Sequence, residues 1–310
     1  MKSLIEEYKS TLKSKDTEEH VDLFFYRPIG FVWAKFFAAL GISPNVVTVL
    51  SIFLGVGGGI LLYPTNMTLN IIGILLIIWA NSYDSADGQL ARMTGQYSNL
   101  GRILDGIAGD LWFASIYLAI IFRCTSGGNG FGFPSWLVWA IVVGAAICHL
   151  YQAAVADYFR QLHLYVLKNS GGGEFDTVEK LVKQDEEDKK AHKSIAKRLV
   201  NKLYIAYTRV QWLGNDNLMK LLPLISNTPI EPALREEFLN GSRKLCKWEN
   251  FLTFNWRSFF LFAAILTNMP LIYPLAELTL FNIVVIYLKW KHNKMCRNLV
   301  SSFVYTARSF

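Results

Sequence analysis

The stretch that decides the fold is IIWANSYDSADGQLARMTGQYSNLGRILDGIAGDLWFASIYLAIIF, residues 77–122. Apolar residues at both ends, continuing back from 77 to about 70 and forward to 122, flank a polar middle that holds four aspartates: Asp84, Asp87, Asp105 and Asp110. On a helix of 3.6 residues per turn, Asp84, Asp87, Gly88 and Ala91 stand at i, i+3, i+4 and i+7, along one face. Gly101 and Asp105 repeat the pattern on the next helix, and the short MTGQYSN link makes the two helices antiparallel neighbours. Their aspartate-bearing ends meet.

Outward from that hairpin, the chain reads as a polytopic membrane protein. Its 310 residues are 52% hydrophobic and only 18% charged, with a mean hydropathy of +0.27, too apolar for an ordinary soluble domain and too long for a single anchor. A hydrocarbon core of ~30 Å needs about 20 apolar residues per helix. That ruler predicts six spans, at 45–63, 70–92, 100–122, 135–157, 256–273 and 275–290, in an all-α fold. Gly55, Gly57, Gly58 and Gly59 in the first span permit close helix approach. The segment 21–40, aromatic but broken by Arg27 and Lys35, is expected to lie in the interface as an amphipathic helix. The first twenty residues lack the apolar run of a cleaved signal peptide.

Charge orients the chain. Of 31 Lys and Arg, the loops assigned to the outer side hold only Arg123, so the N-terminus and the aspartate motif are expected to face the cytoplasm. The net charge of +7 then fits a rim facing anionic lipid, and no nucleic-acid partner is expected. The organisation follows: 1–43 as cytoplasmic N-terminus and interfacial helix, 44–160 as the first four spans with the motif, 161–255 as a cytoplasmic helical insertion, and 256–310 as the last two spans and a basic tail. Gly171 to Gly173 read as a hinge, and 203–225 as interfacial or packed helices, with a seventh span as the alternative. Cys124, Cys148, Cys246 and Cys296 show no metal-binding or disulfide spacing.

Carboxylates converging within a membrane helix demand a counter-cation or a polar cavity. Aspartate oxygens suit Mg2+, Mn2+ or Ca2+, whereas zinc would want His or Cys nearby. Gly88 and Ala91 leave room for a bulky group held by those cations, and a pyrophosphate is the obvious occupant. Pairing of the aspartates with Arg92 and Arg102 alone would not explain why small residues share their face. Asp157 and Arg160, at i and i+3, are read either as a local ion pair or as a charged-ligand contact. His149 is expected to be a packed core histidine, and Glu277 a solvated residue toward the outer side.

DSADGQLAR (84–92), eight residues, then GRILD (101–105) resembles the signature of the CDP-alcohol phosphotransferase family, D-x-x-D-G-x-x-A-R, eight residues, then G-x-x-x-D-x-x-x-D. Seven of its eight specified positions are met, and SPNVVTVLSIFLG (43–55) resembles the segment opening the family's first membrane helix. The resemblance implies a six-helix, usually homodimeric membrane enzyme that cleaves a CDP-linked donor, passes the phospho-group to an alcohol acceptor and releases CMP. It implies that Asp84, Asp87 and Asp105 bind divalent metal, generally two Mg2+ or Mn2+ ions. Gly88 and Ala91 would line the cytidine and phosphate site, with Arg92 nearby. The family's fourth aspartate, a metal-neighbouring residue proposed as general base, is here replaced by Gly109, with Asp110 one residue late. A π-bulge across Gly106 to Asp110 would swing Asp110 back, and Asp110 is accordingly expected to be a metal neighbour and the base. The donor is expected to be CDP-diacylglycerol and the acceptor inositol or an inositol phosphate, in an integral membrane enzyme of the inner or plasma membrane if the host is bacterial. The alternatives are transfer of a CDP-linked headgroup to a lipid alcohol and, in another class, a divalent-cation transporter.

Overall fold

The computed structural model describes residues 4–12, 14, 16–126, 131–168, 178–191, 193–194, 197–198, 201–202, 205–206, 208–209, 216–226 and 230–307. Among these the regular structure is helical, with no strand. In chain order the helices are α1 (Leu4–Ser10), α2 (Arg27–Ala39), entered through a π-turn at Asp22–Tyr26, α3 (Pro44–Ile60), α4 (Met67–Thr94), α5 (Asn99–Ser126) and α6 (Ser135–Leu167). There follow α7 (Val178–Lys190), α8 (Asp216–Ser226), α9 (Pro232–Glu249), α10 (Phe254–Leu266), α11 (Ile272–Ala276), a second π-turn at Glu277–Phe281, and α12 (Asn282–Ala307). The proposed glycine hinge and most of 203–215 lie outside the described residues, as does the side chain of Arg102.

Among the described residues, four stretches are long and apolar enough to cross a membrane: Met67–Thr94, Leu104–Ser126, Ser135–Leu167 and Ile272–Ser301. They correspond to four of the six predicted spans. The other two are shorter, because α3 has 17 residues and α10 only 13. The predicted span 256–273 is cut at Leu266 by a turn in which Asn268 takes φ 58, followed by Pro270, which cannot continue a helix.

The chain divides into two compact units, Met1–Leu150 with Phe254–Leu280, and Tyr151–Thr253 with Phe281–Phe310. In the first, local sequence fixes the helix ends. Pro44 starts α3 after an extended Ser43, the Asn66 side chain caps α4 by accepting from the Leu69 amide, and Gly95, at φ 69, ends α4. The glycines of α3 do what their size predicts at three of four positions. A Cβ at Gly58 would stand 2.7 Å from the Gly73 carbonyl oxygen, and one at Gly55 or Gly59 would strike Trp112 or Ser115. Gly57 faces open space. Thus α4 and α5 close onto α3, and Ile77, Ile116, Ile120 and Val142 fill the core between helices.

That core also encloses polar groups. Arg257 donates from Nη1 to both oxygens of Glu277 at 2.6 Å, His149 Nδ1 lies 3.6 Å from the same carboxylate, and the Tyr117 hydroxyl bridges His149 and Tyr273 at 3.0 and 3.1 Å. His149 is the packed histidine expected. Glu277 is not solvated, however: it is 0% exposed, because a carboxylate on a membrane helix finds its lowest energy beside the Arg257 cation. Arg123, read from sequence as an outer-loop residue, instead ends inside α5 and ties three chain segments together. Its guanidinium donates to the Leu62 carbonyl, Asn70 Oδ1 and Asn268 Oδ1 at 2.8, 2.8 and 2.7 Å.

In the second unit, α8 and α9 pack against α12. Phe159 stacks on His292 at 3.9 Å, and His163 hydrogen-bonds Ser242 at 2.7 Å in full burial. Arg235 caps α6 by donating to the Val166 and Leu167 carbonyls. Arg160 donates to Asn250 Oδ1 at 2.8 Å, while Asp157 accepts from Gln161. Beside Arg160, burial pushes the Glu249 carboxyl up to about 7. On α7, the Lys193 ammonium and then the Asn201 amide hold the Asp188 carboxyl well below the usual carboxylate range.

Candidate functional site

The first unit contains a cavity of about 450 Å³, lined by residues of the α2 entry turn, the start of α3, the second half of α4, the α4–α5 link and the start of α5. The α4 contribution follows from helical register. Asn81, Asp84, Gly88 and Ala91 fall on one stripe, with Ser85, Asp87 and Arg92 beside it, and all seven line the cavity. Gly95 reverses the chain, and Ser98 caps the incoming helix: its hydroxyl accepts from the Gly101 amide at 2.9 Å and donates to Asn45 Oδ1 at 3.1 Å. A Cβ at Gly101 would collide with the Asn45 side chain, so glycine is required for α5 to approach α3 here.

The hairpin brings Asp84, Asp87 and Asp105 together, with one oxygen of each within 4.8 Å of the others. Asp87 is buried, Asp84 half-buried and Asp105 exposed. Thr48, buried on α3, donates its hydroxyl to Asp87 Oδ2 at 2.5 Å and fixes that carboxylate's direction. Three hard oxygen donors, with no His or Cys among the described residues of the cavity wall, are a donor set for Mg2+ or Mn2+ rather than zinc. Unbalanced by a cation, three carboxylates this close would repel one another strongly.

Gly88 and Ala91 line the cavity as the sequence indicates. A Cβ at Gly88 meets only the Arg92 guanidinium, at 3.4 Å, so the space beside it is available to a ligand. Arg92 donates from Nε to the Thr11 carbonyl at 2.5 Å, and its Nη2 is buried without a hydrogen-bond partner among the described residues. Gln89 donates to the Thr11 hydroxyl at 3.1 Å. A polar N-terminal strap is thereby held against α4, and Arg27 pins it again, pairing with Glu18 at 2.9 Å and donating to Ser85 at 3.3 Å.

Asp110 does not join the three aspartates. The π-bulge expected over Gly106 to Asp110 is not formed: α5 is α-helical from Asn99 to Ser126. Five residues on a regular helix rotate a side chain by about 140° relative to Asp105, and Asp110 is exposed and absent from the cavity wall. Gly106 and Gly109 have open space around them, so no neighbour forces the extra residue to be absorbed.

Sequence reasoning missed the far wall: Asp22, Tyr26 and Arg27 from the N-terminal turn, and Asn81 one turn before the motif. Burial pushes the Tyr26 phenol up to about 12, so it stays protonated, in a hydrogen bond with Asn81. Asn255 donates to Asp22 Oδ1 at 3.0 Å and to Glu19 Oε2 at 2.8 Å. The signal available was a polar segment carrying Glu18, Glu19 and Asp22 immediately before an aromatic helix.

The family model of the CDP-alcohol phosphatidyltransferases matches residues 41–182. A relative, the archaetidylinositol phosphate synthase of Pyrococcus horikoshii, is 37% identical over 86 residues, which cover 28% of this chain and 44% of the relative. The match therefore spans less than half the length of that protein. It is the matched segment that contributes Thr48, Gly88, Gly101 and all three converging aspartates, so the likeness to the CDP-alcohol phosphatidyltransferases falls on the site itself.

Proposed function

We propose that this chain is a membrane phosphotransferase of phospholipid headgroup synthesis, taking CDP-diacylglycerol as donor and inositol or an inositol phosphate as acceptor, and releasing CMP. The observation that carries the reading is the convergence of Asp84, Asp87 and Asp105 on a cavity that Gly88 and Ala91 leave open. The relative's name supports the acceptor class. The six-span topology with an interfacial N-terminal helix, the active site on the cytoplasmic face of the plasma membrane and a homodimeric state belong to the same proposal.

Asp84, Asp87 and Asp105 would hold divalent metal, Mg2+ or Mn2+. Bound there, it would neutralise the donor's pyrophosphate and the charge that develops on departing CMP. The protein's own residues do the rest by positioning. Thr48 fixes the Asp87 rotamer, Gly88 and Ala91 admit the phosphates and nucleoside, and the half-buried Arg92 guanidinium contributes positive charge beside them. Because phosphoryl transfer needs in-line geometry and charge neutralisation more than covalent chemistry, no nucleophilic side chain is required.

The test is CMP release by the purified protein from CDP-diacylglycerol, or from a CDP-linked headgroup, against a panel of alcohols. EDTA should abolish release and Mg2+ or Mn2+ restore it. Asp84→Asn, Asp87→Asn and Asp105→Asn should each be inactive while still inserting into membranes. Metal-independent release, or turnover in any of the three variants comparable with wild type, removes the reading.

A further inference from the structure

If the proposed transfer reaction holds, an acceptor hydroxyl must lose its proton as it attacks, and Asp110 is out of reach. Among the described residues, the carboxylates on the cavity wall are Asp22, Asp84, Asp87 and Asp105. The last three form the compact group suited to a cation, and Asp22 stands outside it, on a different element. Glu18 and Glu19 do not line the cavity: Glu18 is occupied by Arg27, and Glu19 accepts from Asn255.

The order of residues along α4 gives the cavity two ends. Along α4, Arg92 follows Asp84 and Asp87 and Asn81 precedes them; Tyr26 is hydrogen-bonded to Asn81, and Asp22 opens the turn that Tyr26 closes. In-line displacement requires the attacking and leaving oxygens on opposite sides of the phosphorus. A nucleotide directed toward Arg92 therefore leaves the Asn81 end for the acceptor. Asp22 is built into that end: it opens a π-turn, a local geometry frequent at functional sites, and the Asn255 amide holds its Oδ1 at 3.0 Å.

We propose that Asp22 is the catalytic carboxylate for the acceptor, taking the place of the aspartate that this chain lacks at position 109. The acceptor's O–H proton passes to an Asp22 oxygen. The hydroxyl oxygen's lone pair forms the new P–O bond at the phosphorus bearing the donor's non-nucleoside group. The P–O bond to CMP breaks, its electron pair leaves on the CMP phosphate, and Asp22 returns the proton to water. Tyr26 and Asn81, hydrogen-bonded to each other, flank the same end and present a hydroxyl and an amide to a polar, hydroxyl-bearing acceptor.

The experiment compares wild type with Asp22→Asn in two measurements: kcat for CMP release from CDP-diacylglycerol, with whichever alcohol of the panel the wild type accepts, and binding of CDP with Mg2+ by calorimetry. The expected result is a fall in kcat of ~10²–10⁴-fold, with CDP affinity within about threefold of wild type. A kcat within about fivefold of wild type overturns the assignment, and so does a loss of CDP binding in proportion to turnover, which would place Asp22 in the donor site or the fold. Asn255→Ala should fall between wild type and Asp22→Asn in kcat, with CDP affinity retained. Absence of CMP release from the wild type would instead sink the transferase reading itself.

Discussion

Replacing Asp110 by asparagine tests the geometry of α5 directly. On a regular helix, five residues carry Asp110 about 140° around and ~7.5 Å along the axis from Asp105. With side-chain ends ~5.5 Å from the axis, the two carboxylates stand about 13 Å apart, against the ~3.2 Å over which a general base acts. Only a through-space effect remains. One unit charge at that distance is worth about 0.3 kcal/mol in water and ~1.3 kcal/mol at an effective permittivity of 20. These figures correspond to a change in kcat between about twofold and tenfold. Loss of a general base would cost ~10²–10⁴-fold. CMP release at saturating donor, acceptor and Mg2+, by Asp110→Asn in nanodiscs, separates the two ranges. A drop beyond about a hundredfold, with CDP binding intact, would refute the regular-helix argument, return the carboxylate to the site and leave no vacancy for Asp22 to fill.

Three further outcomes follow from the same structure. Gly88→Leu should weaken Mg2+-dependent CDP binding by at least tenfold in calorimetry while shifting the melting temperature little, because a branched side chain would occupy ligand space rather than protein space; unchanged binding would put the nucleotide elsewhere. Glu277→Gln strands the fully buried Arg257 cation and should destabilise the protein by ~3–5 kcal/mol, whereas the paired change Arg257→Met with Glu277→Leu should recover most of that in thermal melts; equal loss in both would show that the pair is not the cause. Glu249 is raised from 4.5 to about 7, so the folded state binds the extra proton and stability declines as pH rises from the ordinary value through 7. Glu249→Gln should therefore match wild type at pH 4 and exceed it at pH 8 by up to ~3 kcal/mol, and parallel pH-stability curves for the two proteins would contradict the assignment.

The metal-suited trio was legible in the sequence because its geometry is local. Asp84 and Asp87 share a helix face, and a short link returns Asp105 to them, so spacing alone determines the convergence. The same arithmetic placed Asp110 on the wrong side, and a bulge was invoked to rescue it; the structure keeps the regular helix because nothing packs against Gly106 or Gly109 to favour a detour. Asp22, Tyr26 and Asn81 were illegible for the opposite reason. Their meeting depends on a strap tied by Thr11, Glu18 and Asn255 across large separations in sequence, and no periodicity encodes such ties. Glu277 was misplaced because its partner, Arg257, sits on a different helix, and hydropathy counts a charge without knowing what stands beside it.

The separation in sequence between the trio and the tether of Asp22 gives the site a history during synthesis. Asp22, Thr48, Asp84, Asp87 and Asp105 all leave the ribosome among the first 105 residues, whereas Asn255 follows about 150 residues after Asp105. At ~5–20 residues per second that interval lasts about 8–30 s. A nascent chain thus owns its carboxylate trio well before the amide that fixes Asp22 exists. On the proposed reading, divalent cations and nucleotide would have access to a half-built cavity in that window, while the proposed acceptor end stays untied until Asn255 is made. Synthesis as far as Asn255, rather than of the aspartate hairpin alone, is what ties the proposed acceptor end in place.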